Sequence, residues 1–134
     1  MAFTNGVFDL LHPGHIDVLT AARYSADALV VGVNSDESVR RLKGPTRPLR
    51  TDAERAYVLA ALECVDLVVI FPEDTPINLV TRLKPDVIVK GGDYSEDTIV
   101  GAREVKSWGG RVVVVPLTPG HSTTEIIRKL SDNS

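Results

Sequence analysis

Asn5-Gly6-Val7-Phe8-Asp9-Leu10-Leu11-His12-Pro13-Gly14-His15 stands near the head of this 134-residue chain. A short apolar run precedes it and an amphipathic segment follows, so it reads as a strand, a tight glycine-containing turn and a helix N-terminus. Such a junction exposes backbone N–H groups and the positive end of a helix dipole, which together attract phosphate. Histidines placed there add donors that hold a phosphate while its charge rearranges during reaction. For either histidine alone, a surface turn residue is the simpler reading. Two separated only by Pro13 and Gly14 in this setting favour a phosphate site.

Working outward, short β-branched runs alternate with segments of helical period. Candidate strands cover residues 2–4, 29–33, 67–71, 87–89 and 112–115. Each is almost wholly apolar, as strands covered on both faces of a parallel sheet must be. Candidate helices cover residues 16–24, 52–62, 76–83, 99–108 and 123–130, with Asp52 as a cap and Gly109-Gly110 as a stop. This alternation predicts a single α/β domain over residues 1–134: a doubly wound, parallel, five-stranded sheet with helices on both faces. Ligands of such sheets bind beyond the carboxyl ends of the strands. Residues 5–15 follow the first strand, 34–36 the second, 90–93 the fourth and 116–124 the fifth. Four motifs thus converge on one edge.

Composition excludes several classes. A net charge of -3 implies no general basic surface, which argues against nucleic acid. Cys64, the only cysteine, rules out an intrachain disulfide and a cysteine-based zinc cage, and lying between Leu62 and Val65 it reads as a buried inert thiol. No protein-built metal site is read. No apolar run approaches a membrane span and no signal-peptide pattern opens the chain, so a cytoplasmic protein is expected.

Residues 40–50 carry five cations among Gly and Pro: Arg40, Arg41, Lys43, Arg47 and Arg50. Arg40 and Arg50 read as solvated; the stretch as a whole is expected to be a mobile basic loop that closes over a ligand. Asp9 either pins its turn or acts as an indirect metal or histidine partner, and the pinning role is favoured. Lys90 ends an apolar strand at the ligand edge, well placed to meet a phosphate, and Gly91-Gly92 before Asp93 leave a flat backbone surface for a purine. Ser122-Thr123-Thr124-Glu125 forms a capping box, whose geometry is also that of an anion site.

Taken together, His12-Pro13-Gly14-His15, its entry Gly6-Val7-Phe8-Asp9 and the stretches at residues 33–36, 41–44, 89–94 and 120–127 resemble the HxGH nucleotidyltransferase superfamily. Within it the chain is similar, almost end to end, to the heptose 1-phosphate adenylyltransferases, either free-standing or as the domain of a two-domain ADP-heptose synthase. The resemblance implies a Rossmann-like fold and transfer of AMP from ATP, with Mg²⁺, to D-glycero-β-D-manno-heptose 1-phosphate. His12, His15 and Lys43 are then catalytic. Asn5, Gly6, Val7, Phe8, Gly14, Lys90, Gly91, Gly92, Asp93, Ser122, Thr123 and Thr124 bind the nucleotide, and Asp9, Arg47 and Arg55 face the sugar phosphate. An ion pair of Arg55 with Asp52 or Glu54 competes with that role. A homo-oligomer and a separate heptose 7-phosphate kinase are the implied partners. Leu117 stands where cytidylyltransferases carry an arginine, which weakens a second reading with CTP and a polyol phosphate such as glycerol 3-phosphate. A non-catalytic nucleotide sensor is the third reading, and it requires the loss of a histidine or of the basic stretch.

Overall fold

A computed structural model of the chain describes residues 1–92 and 94–116. Five strands, β1 (Ala2–Gly6), β2 (Leu29–Asn34), β3 (Leu67–Phe71), β4 (Val87–Gly91) and β5 (Arg111–Val115), form one wholly parallel sheet in the order β3-β2-β1-β4-β5. Helices α1 (Pro13–Tyr24), α2 (Asp36–Lys43), α3 (Asp52–Ala60), α4 (Ile77–Leu83) and α5 (Ala102–Ser107) lie between them, with a 3-10 turn at Glu96–Thr98. The expected last helix, with Leu117, His121, Ser122, Thr123 and Thr124, lies outside the described residues, as does Asp93.

Side chains alternate across the sheet with period two, and the core divides accordingly. Ala2, Leu29, Val31, Val33, Val87 and Val89 pack with Val18, Leu19 and Ala22 of α1 and Leu59 of α3. Phe3, Val30, Ile88 and Val112 pack on the opposite side with Val80 of α4 and with Ala102 and Val105 of α5. Gly32 interrupts the otherwise bulky β2 because a Cβ there would stand 3.0 Å from the Phe3 ring and 3.3 Å from Leu79. After β3 the chain crosses to the far side of β1, so the strand order switches between β1 and β4. The carboxyl ends of these two strands open the crevice that doubly wound sheets use for ligands.

Three sequence expectations need correction. Residues 36–43 are helical, where a basic loop was expected to begin near residue 40; Ser35 caps α2 by accepting from Ser38 N at 3.2 Å, and Gly44 ends it at φ 97°. Thr51, not Asp52, caps α3, accepting from Glu54 N at 3.2 Å. Cys64 is half-buried beside the core rather than fully enclosed, and it precedes β3, so it sits at the amino ends of the strands.

Candidate active site at the carboxyl edge of the sheet

The β1–α1 connection begins with a strained residue. Phe8 adopts φ 51°, a left-handed conformation that L side chains rarely take, and its ring folds back within 3.1 Å of where a Gly6 Cβ would stand. A glycine at position 6 therefore leaves room for the Phe8 ring. His12 is the N-cap of α1: its extended backbone turns the chain and its Nδ1 accepts from Gly14 N at 3.1 Å. An accepting Nδ1 leaves the neutral imidazole's proton on Nε2, so His12 is set as an Nε2–H donor. Pro13 fits the first helical position because it has no N–H to leave unpaired.

The other amides of this first turn are also occupied. His15 N and Ile16 N both donate to the His12 carbonyl, at 2.9 and 3.3 Å. The expected cradle of open backbone N–H groups is thus absent from this turn. An anion here meets imidazoles and the helix dipole instead.

The two imidazoles are stacked, with centroids 3.8 Å apart and planes inclined by 28°. Phe8 meets His15 edge-on at 5.2 Å. His15 Nδ1 is buried without a hydrogen-bond partner. Burial first, and the neighbouring His12 second, push the His15 pKa down to about 4, against a Leu10 backbone hydrogen bond that raises it. His15 therefore rests as a neutral imidazole at pH 7. An unsatisfied buried nitrogen is costly, and arriving charge at this turn would meet a group still able to take up a proton.

Behind the histidines two buried ions fasten the surrounding backbone. Asp9, 1% exposed, accepts from Leu49 N at 2.8 and 2.9 Å, from Arg50 N at 3.0 Å and from Arg47 Nε at 2.8 Å. Burial alone would raise its pKa, but the Leu49 and Arg50 amides and the Arg47 guanidinium outweigh that and hold it below the usual carboxylate range. Arg55, also 1% exposed, donates to the Val7, Asn34 and Arg50 carbonyls at 2.8, 2.8 and 3.0 Å and pairs with Asp36 at 2.9 Å. Asp36 and Asp52 complete the joint: Asp36 N donates to Asp52 at 3.0 Å, and Asp52 N to Asp36 at 2.8 Å. Each acid thereby serves the first turn of the other's helix.

These contacts change the reading of the basic stretch. Arg55 pairs with Asp36, not with Asp52 or Glu54, and its guanidinium faces backbone carbonyls, not open solvent. Residues 47–50 are tied to Asp9, contrary to the mobile loop expected there. Lys43 is exposed at the last position of α2 and forms no ion pair among the described residues.

On the other side of the switch point, Lys90 Nζ lies 3.4 Å from the Asn5 carbonyl and 5.9 Å from the centre of the Tyr94 ring. Burial lowers its pKa. Gly91 ends β4, and Gly92 N extends the ladder by donating to Val115 O at 2.9 Å. Lys90 and Asn5 line a cavity of about 240 Å³ together with Asp74, Thr75, Tyr94 and Thr98. Sequence reasoning missed Asp74 and Thr98. The turn after β3, Pro72-Glu73-Asp74-Thr75-Pro76, was the one strand exit left unexamined, and the rule that ligands gather at carboxyl ends pointed to it.

Among the described residues no cluster of three or more His, Cys, Asp or Glu is arranged to hold a metal, and no helix is long and apolar enough to cross a membrane.

The chain is similar to the bifunctional protein HldE of Acidiphilium cryptum, at 62% identity over 97% of this chain and 27% of that protein. It is 59% identical to the bifunctional protein HldE of Paramagnetospirillum magneticum over 99% of this chain, again 27% of the relative. It thus spans about a quarter of the length of these curated relatives. A crystal structure of the lipopolysaccharide core biosynthesis protein from Thermoplasma volcanium superposes with a TM-score of 0.69 at 29% identity, over 87% of this chain and 94% of that one. Pantoate-beta-alanine ligase from Francisella tularensis shares the fold, with a TM-score of 0.62 at 16% identity over 95% of this chain and 64% of its own. Residues 3–129 match the cytidylyltransferase-like family, and with the stacked histidines at its β1–α1 junction the chain belongs to this family of nucleotidyltransferases.

Proposed function

We propose that the chain transfers AMP from ATP to D-glycero-β-D-manno-heptose 1-phosphate, giving ADP-heptose and pyrophosphate. The observation that carries this reading is the stacked His12–His15 pair at the N-terminus of α1, at the carboxyl edge of the sheet. The high identity to HldE proteins, with the resemblance of the motifs, supports a sugar phosphate as acceptor. In the reaction a phosphate oxygen of the sugar 1-phosphate attacks the α-phosphorus. The bond from that phosphorus to the bridging oxygen breaks, and pyrophosphate leaves with the electron pair. The acceptor is already ionised at neutral pH, so the protein's task is alignment and charge stabilisation.

His12, fixed as an Nε2 donor, and His15 serve the transferring and leaving phosphates. Lys43, at the exposed end of α2, approaches the acceptor phosphate, and Arg47 supports it from its anchor on Asp9. Arg55 acts through the backbone it holds. Asp9 and Asp36 are committed to arginines and amides, so the described residues offer Mg²⁺ no cage. Mg²⁺ would instead accompany the triphosphate and would offset its negative charge there. The remaining nucleotide contacts, at residues 93 and 122–124, rest on the resemblance. A cytoplasmic location, a homo-oligomer and a heptose 7-phosphate kinase, separate or fused, belong to the same reading.

The test is a pyrophosphate-release screen crossing ATP, CTP, GTP and UTP with sugar and polyol phosphates. Turnover is expected with ATP and heptose 1-phosphate. Preference for CTP with glycerol 3-phosphate would install the cytidylyltransferase reading, and nucleotide binding without turnover on any acceptor would install the sensor.

A further inference from the structure

We propose that Phe8 is a positioning residue for the reaction: held in a left-handed backbone between two anchored neighbours, its ring acts through His15, seating that imidazole against His12 and keeping solvent from it. The inference rests on the adenylyl-transfer reading, in which His15 serves the phosphates.

The backbone comes first. Among the described residues only Phe8 and Lys84 combine a side chain with a positive φ, at 51° and 49°. Lys84 is the ordinary left-handed cap at the end of α4. Phe8 ends no helix, and glycine would relieve the crowding that a side chain suffers there. Its neighbours hold it in place. On one side the Val7 carbonyl accepts from Arg55 Nη1 at 2.8 Å. On the other, the Asp9 carboxylate is bound by the Leu49 and Arg50 amides and by Arg47. Arg55 and Asp9 are both buried, so relaxing Phe8 would break one of two buried ionic anchors. Such over-determined strain is found where a site needs a side chain fixed.

The strained backbone secures the place of the ring. Its Cε2, Cζ and Cδ2 lie 3.1, 3.3 and 3.5 Å from where a Gly6 Cβ would stand. It packs in the same buried cluster as Val18 and Leu19 of α1, and it meets the His15 ring at 5.2 Å with planes inclined by 62°. His15 thus lies between an aromatic edge and the stacked His12 ring, with its Nδ1 buried and unsatisfied. Phe8 has no donor or acceptor, so on its side nothing replaces the water that a charged imidazole would need. Burial is the largest cause of the lowered His15 pKa, ahead of His12 and against the Leu10 backbone bond. The other charged groups bordering this connection are engaged elsewhere. Asp9 holds residues 47–50, Arg55 holds carbonyls and Asp36, and Lys90 Nζ lies at the Asn5 carbonyl. Asp17 of α1 is exposed. None of these four contributes to the shift, which leaves apolar cover as its main source.

Phe8→Ala and Phe8→Leu are compared with wild type, the second keeping apolar bulk without the flat ring. The His15 titration is followed by NMR on protein labelled in its histidines, with His15→Asn to assign the signal. Calorimetry at about pH 5.5 reads proton uptake on ATP binding, and pyrophosphate release reads turnover. In Phe8→Ala the proton affinity of His15 is expected to rise about tenfold or more. Proton uptake with ATP should fall by about half or more, because the ring is already charged. Turnover should fall about tenfold, with the ATP KM within about threefold of wild type. Phe8→Leu should move each quantity the same way by less. An unchanged titration in the folded variants, or a moved titration with wild-type turnover, overturns the proposal. If Phe8→Ala does not fold, Phe8→Leu decides by the same criteria. If wild type rejects heptose 1-phosphate but adenylylates another acceptor, the function reading falls, and the same variants on that acceptor still decide the role of Phe8. If no acceptor turns over, the titration and the ATP-linked uptake decide it, and a wild type without that uptake overturns it.

Discussion

The imidazoles of His12 and His15 lie face to face at 3.8 Å, and only His12 has a backbone partner for its Nδ1; the Nδ1 of His15 is buried and unsatisfied. One ring is fixed as a donor, while the other is held in a protonation state that its surroundings impose. These two conditions suit complementary tasks, and they separate the consequences of changing each ring.

His15→Ala is expected to give a folded protein with turnover reduced on the order of a hundred-fold or more, the usual loss when a preorganised donor is removed. Circular dichroism and pyrophosphate release check the two halves. Wild-type turnover would remove His15 from the chemistry, and an unfolded product would assign it to the fold.

Binding of the triphosphate should draw a proton onto His15. Its pKa of about 4 in the free protein lies below the ordinary 6.5, and a nearby phosphate favours the charged form and raises it. Calorimetry at about pH 5.5 in buffers of different ionisation enthalpy should show net proton uptake on ATP binding, lost in His15→Asn. The same shift governs folding. The native state binds fewer protons than the unfolded chain between these pH values, so the stability contributed by neutral His15 is full above 6.5 and lost as pH falls towards 4. His15→Asn should flatten that slope in urea titrations. Buffer-independent heats would refute the uptake.

Arg55→Met should destabilise the protein by about 3 kcal/mol in denaturant titrations, the low end for breaking a buried pair because Asp36 keeps access to water. The Val7, Asn34 and Arg50 carbonyls all lose their donor. A loss of acceptor affinity at unchanged stability would instead place the guanidinium on the substrate.

Lys43→Ala, at an exposed helix end, should leave stability unchanged, raise the KM for the sugar phosphate, lower turnover and leave ATP affinity nearly intact. Equal loss of ATP binding by calorimetry would reassign Lys43 to the triphosphate.

Adenylyl transfer should invert configuration at a chiral α-thiophosphate. Cys64 sits at the amino ends of the strands, and His12 is set as a donor by its Nδ1 bond to Gly14 N, so direct attack by the acceptor phosphate is the expected course. Net retention would demand a covalent intermediate.

The strands were legible because each is an apolar, β-branched run covered on both faces, and the strand–helix alternation then dictated the doubly wound sheet. Helix α2 escaped because its apolar content is slight: Val39 is buried, while Leu42 is 52% exposed. Its ends were nevertheless written in Ser35, in the acids Asp36 and Glu37, and in Gly44. The histidine motif was readable from local spacing alone. The inward course of Arg55 was not, because its partners lie 5, 19, 21 and 48 residues away and no local period encodes such distances. The Asp74 wall depends on the switch in strand order, which appears only once the sheet is assembled.

Irregular backbone ordinarily surrenders its amide protons to solvent quickly. Leu49 and Arg50 stand in such backbone, yet both amides end on the buried Asp9 carboxylate, and Arg50 O is gripped by Arg55. Their exchange rates should resemble those of the strands. Segment length here is consequently constrained by its anchors: an inserted residue between Gly44 and Thr51 would displace the Asp9 attachments or bulge outward into solvent. The stretch is thus pinned at two points, by Asp9 beneath its amides and by Arg55 on its Arg50 carbonyl.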